Sequence, residues 1–167
     1  AVYDRTKLVW MNGQYIRKLD LDTLVKLVNP YMPESLRQRY TDAQRREIVA
    51  ILQDSLDVLG DFPGRAAIFE PEVDYETDTK ALLGSDTAQR VLGAMVSRLS
   101  AHGGPVTPEN FKEMILATGQ EVSLKGKDLY FPIRGAMTGS VHGPDLTRVA
   151  AVKGRDTVLH LLEGAMR

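Results

Sequence analysis

The chain of 167 residues has no cysteine, one tryptophan and three histidines. Missing thiols exclude disulfides and thiolate metal sites, and they fit a reducing, cytoplasmic compartment. His102, His142 and His160 stand at no metal-ligand spacing from one another or from a carboxylate pair, so no metal centre is expected. There is no glycine-rich phosphate loop and no GxGxxG string. No apolar run approaches the roughly 18 residues of a membrane span, and no charged-then-apolar leader opens the chain. The start, AVYDRTKLVW, carries no initiator Met and reads as the cut end of something longer. A strong charge of one sign is missing too. The net charge is −1, so nothing pulls the whole chain toward nucleic acid. Its distribution is uneven: residues 1–53 carry nine Lys/Arg against six Asp/Glu, 54–90 three against nine, and 91–167 nine against seven. Any nucleic-acid surface must therefore be local.

What is present is helical periodicity. The hydrophobic fraction, 43%, is that of a globular protein with a real core. Asp4 can cap a helix with Leu8, Tyr15, Ile16 and Leu19 on its buried face, although Asn12-Gly13 is a breaker within it. Asp20 or Asp22 starts a second helix with Leu24, Leu27 and Val28 apolar, and Pro30 stops it. Thr41 with Gln44 forms a capping box ahead of a long helix that buries Ile48, Leu52, Leu56 and Leu59 and ends near Gly60. PGRAAIFE reads as a short helix with Pro63 in its first turn. The acidic stretch PEVDYETDTK, 71–80, has no helical stripe and is the expected boundary between two sub-domains. Asp86 with Gln89 opens a helix burying Val91, Leu92, Met95, Val96 and Leu99. Thr107-Pro108-Glu109 is a strong helix start, with Phe111, Met114 and Ile115 apolar. A last helix carries Val158, Leu161, Leu162 and Met166. Strand signals are almost missing; Glu121–Leu124 is the one short candidate. The expected fold is all-α, two small helical sub-domains packed side by side.

The stretch KGKDLYFPIRGAMTGSVHGPDL, 125–146, resists a structural label. Ser140, His142 and Asp145 make a triad on paper, but triad members converge from distant positions rather than from within six residues. TGS and HGP could turn backbone N–H groups toward an anion at helix starts, as such turns also do when they merely join helices. Read from its residues alone, the chain is a helical module built for binding rather than catalysis. The segment carrying Arg134 is its best candidate surface.

Two strings then bear on family. KLVWMNGQYIRKL near the start and GKDLYFPIRGAMTGSVHGPDL near the end resemble the C-terminal part of bacterial-type glutamyl-tRNA synthetases, as do the DFP turn at Asp61–Pro63 and the FEPEVDY linker. The resemblance covers essentially the whole chain. It implies the end of a stem-contact region over 1–20, and an all-helical anticodon-binding region in two parts, 21–77 and 78–167. The catalytic motifs of such enzymes, of His-Ile-Gly-His and Lys-Met-Ser-Lys-Ser type, are not among these residues. ATP and Mg²⁺ therefore belong to a catalytic half elsewhere, this piece needs no cofactor, and it should not charge tRNA by itself. The implied partner is tRNA-Glu, met by a monomer in the cytoplasm with no membrane involved.

RNA sequence is read mainly on unstacked loop bases that meet arginine planes and apolar notches, a mode that needs few cations. The resemblance makes Arg134 a base reader, has Thr138-Gly139 turn the chain, and lines the pocket with Val141, Pro144 and Leu146. Arg134 could instead pair with an acid such as Asp128. At Gly143 the family pattern has a hydroxyl residue and at Thr147 an aromatic one. Counting back from Phe62-Pro63, Ser55 occupies the place of an arginine that reads the third anticodon base in enzymes strict for tRNA-Glu. A serine there implies an enzyme that also charges tRNA-Gln, with Gln53 as a neighbour able to take over the contact. The alternative is a helical protein-interaction module that does not bind tRNA.

Overall fold

In a computed structural model the structure describes residues 4–167. The first three residues of the expected stem-contact end lie outside the described residues. Two compact units divide the chain, one running to Glu70 and the other from Pro71 to Arg167. Every regular element among the described residues is helical, and Glu121–Leu124 is not a strand. Glu121 and Val122 end a helix, and Ser123 closes it in the left-handed region at φ 58°.

The first unit contains α1 (Arg5–Lys18), α2 (Leu21–Val28), α3 (Glu34–Arg39), α4 (Asp42–Leu52) and α5 (Phe62–Ala66), with 3₁₀ turns at Asn29–Tyr31, Gln53–Ser55, Leu59–Asp61 and Ala67–Phe69. Its helix starts follow local chemistry. Asp4 accepts from the Lys7 amide, Asp20 from that of Thr23, and Thr41 and Gln44 form the reciprocal capping box. Leu24, Val28, Leu36, Ile48, Leu52, Leu56, Phe62 and Phe69 are buried and form the core. α4 stops at Leu52, short of Gly60; the chain tightens through the Gln53–Ser55 turn, and Leu56 reaches the core from extended backbone.

Two expectations for α1 differ from what is found. The helix runs straight through Asn12-Gly13, because those residues are where it meets the rest of the unit. The Asn12 side chain donates to the Asp57 carbonyl at 2.5 Å, and Gly13 is buried. Leu8 and Tyr15 are not buried: with Val9, Trp10 and Met11 they are exposed, and Ile16 is the one large side chain of α1 in the core. Trp10 is the sole tryptophan and is 60% exposed. We expect the 167-residue chain to show solvent-type, red-shifted tryptophan emission that acrylamide quenches readily. A blue-shifted, protected emission would contradict this placement.

The second unit contains α6 (Thr77–Leu83), α7 (Asp86–Ala101), α8 (Pro108–Val122), α9 (Lys127–Thr138), α10 (Leu146–Lys153) and α11 (Arg155–Gly164). Residue 77, the expected end of the first sub-domain, is here the first residue of α6, and the acidic stretch travels with the second unit. Ser85 rather than Asp86 caps α7, and the Gln89 amide donates instead to the carbonyls of Leu83 and Ala165. Thr107 and Asn110 form a capping box around Pro108. α7 is the central helix, packed by α8, α9 and α11. Leu92, Met95, Leu99, Phe111, Ile115, Ile133, Met137, Val149 and Leu162 are fully buried. The expected last helix is α11, and a further helix not expected from sequence, α10, precedes it and ends at Gly154 (φ 85°). Val158, Leu161 and Leu162 face inward, while Met166 lies beyond α11 and is 39% exposed.

Candidate nucleic-acid interface

The stretch that resisted a label is mostly helix. α9 begins after Gly126 and continues through Pro132 to Thr138. Proline removes the N–H that would reach the Asp128 carbonyl and normally disfavours a helix interior. Here burial of Leu129, Pro132, Ile133, Ala136 and Met137 on one face outweighs it. Lys127, Phe131 and Arg134 recur at helical spacing on another side of α9. The Lys127 ammonium lies 5.8 Å from the centre of the Phe131 ring, and the His142 ring meets Phe131 edge to face with centroids 5.9 Å apart and planes at 77°.

A short loop, 139–145, folds back over this row and joins α9 to α10. Gly139 ends α9 at φ 84°, and its carbonyl accepts from the Glu76 amide at 2.9 Å. The Thr138 hydroxyl lies 2.8 Å from the Arg134 carbonyl and 2.9 Å from that of Ser140. Ser140 donates to the Glu76 carboxylate at 3.0 Å and accepts from the His142 amide at 3.3 Å. Arg134 Nη1 donates to the Pro144 carbonyl at 2.6 Å. A Cβ on Gly143 would lie 3.4 Å from that same nitrogen, close to ordinary van der Waals contact, so it is the backbone, at φ 154°, rather than space that favours glycine there. Burial pushes the Arg134 pKa down and the Asp145 carboxylate pushes it back up; an arginine remains cationic at neutral pH in either case. Asp145 caps α10, accepting from the Thr147 amide at 2.9 Å and from its hydroxyl at 2.7 Å. Partial burial raises the Asp145 pKa, and the bonds from Thr147 and Arg148 outweigh this, leaving it below the ordinary carboxylate value.

Each sequence-predicted residue now has a place. Arg134, Val141 and Pro144 are half-buried in the second unit, together at the loop. Thr138 (8% exposed) and Leu146 (3% exposed) lie beneath it. Leu146 starts α10 with its side chain in the core, so it anchors the loop from below rather than facing outward; Thr138 clamps the loop backbone. The Arg134 guanidinium is held by Pro144 and influenced by Asp145, not by Asp128. Ser55 belongs to the first unit, where its hydroxyl turns back to the Leu52 carbonyl at 2.6 Å. The Gln53 amide is committed to the carbonyls of Ile16 and Leu19, at 3.0 and 2.9 Å. The paper triad does not assemble: Ser140 is taken by Glu76, Asp145 by Thr147, and the His142 ring by Phe131. The start of α10 is closed by a carboxylate and does not offer itself to an anion. Among the described residues no group of three or more His, Asp or Glu could hold a metal ion, and no helix is long and apolar enough to cross a membrane.

A family model described as an anticodon binding domain matches residues 23–166, nearly the whole chain. The chain belongs to the anticodon-binding domain family. Curated relatives agree with this. A glutamate–tRNA ligase of Geobacillus stearothermophilus is 34% identical over 100% of this chain and 35% of its own length. That of Heliobacterium modesticaldum is 33% identical over 99% of this chain and 34% of its own. The chain thus spans about a third of the length of the curated relatives it matches. Among solved structures, a glutamate tRNA ligase from Elizabethkingia meningosepticum shares the fold with a TM-score of 0.81 over 98% of this chain and 32% of that one, at 15% identity. The all-α architecture is that of a helical anticodon-binding domain.

Within this domain, the contacts of Phe131 with Lys127 and His142 were missed from sequence. The helical spacing of Lys127, Phe131 and Arg134 was a usable signal. It went unused because the segment was given no helix from sequence, and Pro132, a residue that disfavours a helix interior, stands between Phe131 and Arg134.

Proposed function

We propose that this domain holds the anticodon loop of tRNA-Glu, with the Arg134 guanidinium meeting the edge of an unstacked base. The observation that carries the reading is the setting of Arg134. A half-buried cation projects from a rigid helix at a loop and is fixed by one backbone carbonyl rather than neutralised by an ion pair. Arginine has five N–H donors, so one bond to Pro144 leaves others for a base. Serving a ligase, the domain would fix the far end of the tRNA before chemistry occurs. ATP and Mg²⁺ are assigned to the rest of such an enzyme, with no cofactor here. The same reading makes the protein a cytoplasmic monomer without membrane contact.

Arg134→Ala tests it. Affinity for a tRNA-Glu anticodon stem-loop should fall by about 1–3 kcal/mol, with the slope of affinity against salt little changed. A wild-type chain that ignores this RNA would reject the reading and favour a protein-interaction module.

The same proposal extends to tRNA-Gln. The Ser55 side chain is short and uncharged, and its hydroxyl is engaged with Leu52; Gln53 is engaged elsewhere. Neither offers the guanidinium that would select one base at the third anticodon position. The full-length enzyme is therefore expected to attach glutamate to tRNA-Gln as well as tRNA-Glu. Charging of tRNA-Glu with no detectable charging of tRNA-Gln would disprove this part alone.

A further inference from the structure

Beside Arg134 lies a feature that edge recognition of a base does not require. Phe131 comes from α9 and His142 from the loop that follows it, and the two rings meet edge to face, 5.9 Å between centroids. Phe131 is half-buried and has the Lys127 ammonium on it; His142 is exposed. In an edge-to-face pair the two rings cannot block each other's faces mutually. The half-buried Phe131 braces the imidazole, and an edge-to-face contact with one ring covers at most one face of the exposed His142 ring. The His142 amide is also tied to Ser140 Oγ at 3.3 Å, which ties the backbone that carries the ring. An exposed flat ring braced by Phe131, with the Lys127 ammonium on that second ring and the Arg134 guanidinium bonded to the same loop at Pro144, has the parts of a single-strand stacking platform: an aromatic surface near cations.

We infer that His142, braced by Phe131, is a stacking shelf for one unpaired nucleobase of the RNA loop whose neighbouring base meets Arg134. This rests on the anticodon-loop reading and adds a second, sequence-tolerant contact to it. Every base has a π-face, so the shelf fixes the position of the loop while Arg134 reads identity. Lys127, on the same side of α9, is placed for the intervening phosphate.

The test uses the 167-residue chain and anticodon stem-loops of tRNA-Glu in which one loop nucleotide at a time is made abasic. His142 is exposed, so its substitution leaves the core untouched. His142→Ala should weaken binding of the intact loop about 5- to 100-fold. His142→Phe should restore most of that loss, because a ring is what is needed. One abasic RNA should bind His142→Ala and the wild type equally, which identifies the stacked base; the others should still distinguish them. The shelf is overturned if His142→Ala binds within twofold of wild type, if His142→Phe is as weak as His142→Ala, or if no abasic position removes the difference. Arg134→Ala separates the two levels. Loss of binding in Arg134→Ala with none in His142→Ala rejects the shelf alone. No binding by the wild-type chain rejects both the shelf and the anticodon reading.

Discussion

Gly139→Ala is expected to destabilise the second unit by about 2–5 kcal/mol, combining the cost of a left-handed non-glycine residue with that of overpacking. Both terms act at one atom. The residue sits at φ 84°, and a Cβ there would run into the Asp74 carbonyl, with that carbonyl's carbon at 3.0 Å. The obstacle is backbone and cannot swing aside as a side chain would. The segment from Asp74 to Glu76 would have to retreat and take with it the bond from the Glu76 amide to the Gly139 carbonyl. Asparagine separates the two terms, since it tolerates left-handed backbone but still carries a Cβ. Gly139→Asn should therefore remain close to Gly139→Ala in guanidinium unfolding. A full recovery by asparagine would show that conformation alone matters, and a Gly139→Ala chain within about 0.5 kcal/mol of wild type, the range of an innocuous surface change, would refute the close approach. RNA binding should suffer as well, because Gly139 is the hinge from which the loop carrying His142 and Pro144 departs.

The two parts of this prediction differ in how far the sequence discloses them. Thr138-Gly139 announces a chain reversal because glycine chemistry is local. That the reversal abuts Asp74 depends on a segment more than sixty residues away, and no local pattern encodes it. The same division runs through the fold. Asp4, Asp20 as one of two candidates, the Thr41–Gln44 box and the Thr107 cap were legible, since each cap closes over three residues, whereas the Asn110 half of the Thr107 box was not read. The stripe on α1 was legible as a stripe but not as exposed. Periodicity says that Leu8 and Tyr15 share a helix with Ile16; whether anything covers them is a tertiary fact. α9 shows tertiary packing overriding a local veto: Pro132 and the surrounding glycines argue for a turn, yet the buried face from Leu129 to Met137 keeps the helix.

At the site, Arg134 and Pro144 were legible as a cation near a turn, but not their hydrogen bond. Leu146 was placed in the lining of a pocket by the family resemblance. Helix α10 begins at that residue, and an apolar side chain in the first turn of a helix laid on the core goes inward. The Phe131–His142 contact spans a loop whose path had to be known first.

Phe111→Ala should cost about 3–5 kcal/mol, the range for emptying a buried aromatic site. Phe111 is 0% exposed, near the start of α8, the helix that packs against both α7 and α10. Its ring cannot be replaced by a sliding neighbour without moving one of those helices. α7 is held on its other sides by α9 and α11, which limits collapse into the void and places the expected cost toward the upper part of the range. Phe111→Leu keeps most of the volume and should cost well under half as much. Guanidinium unfolding of the three chains, followed by helical circular dichroism, gives the ordering. Equal losses for Leu and Ala would mean that ring shape rather than filled volume secures this site. A loss under about 1 kcal/mol for Ala would mean that α8 and α10 close the gap. That closure would also be a statement about function, because α10 starts at Leu146, the anchor of the loop that carries His142. A helix free to shift there could not hold a stacking surface in place.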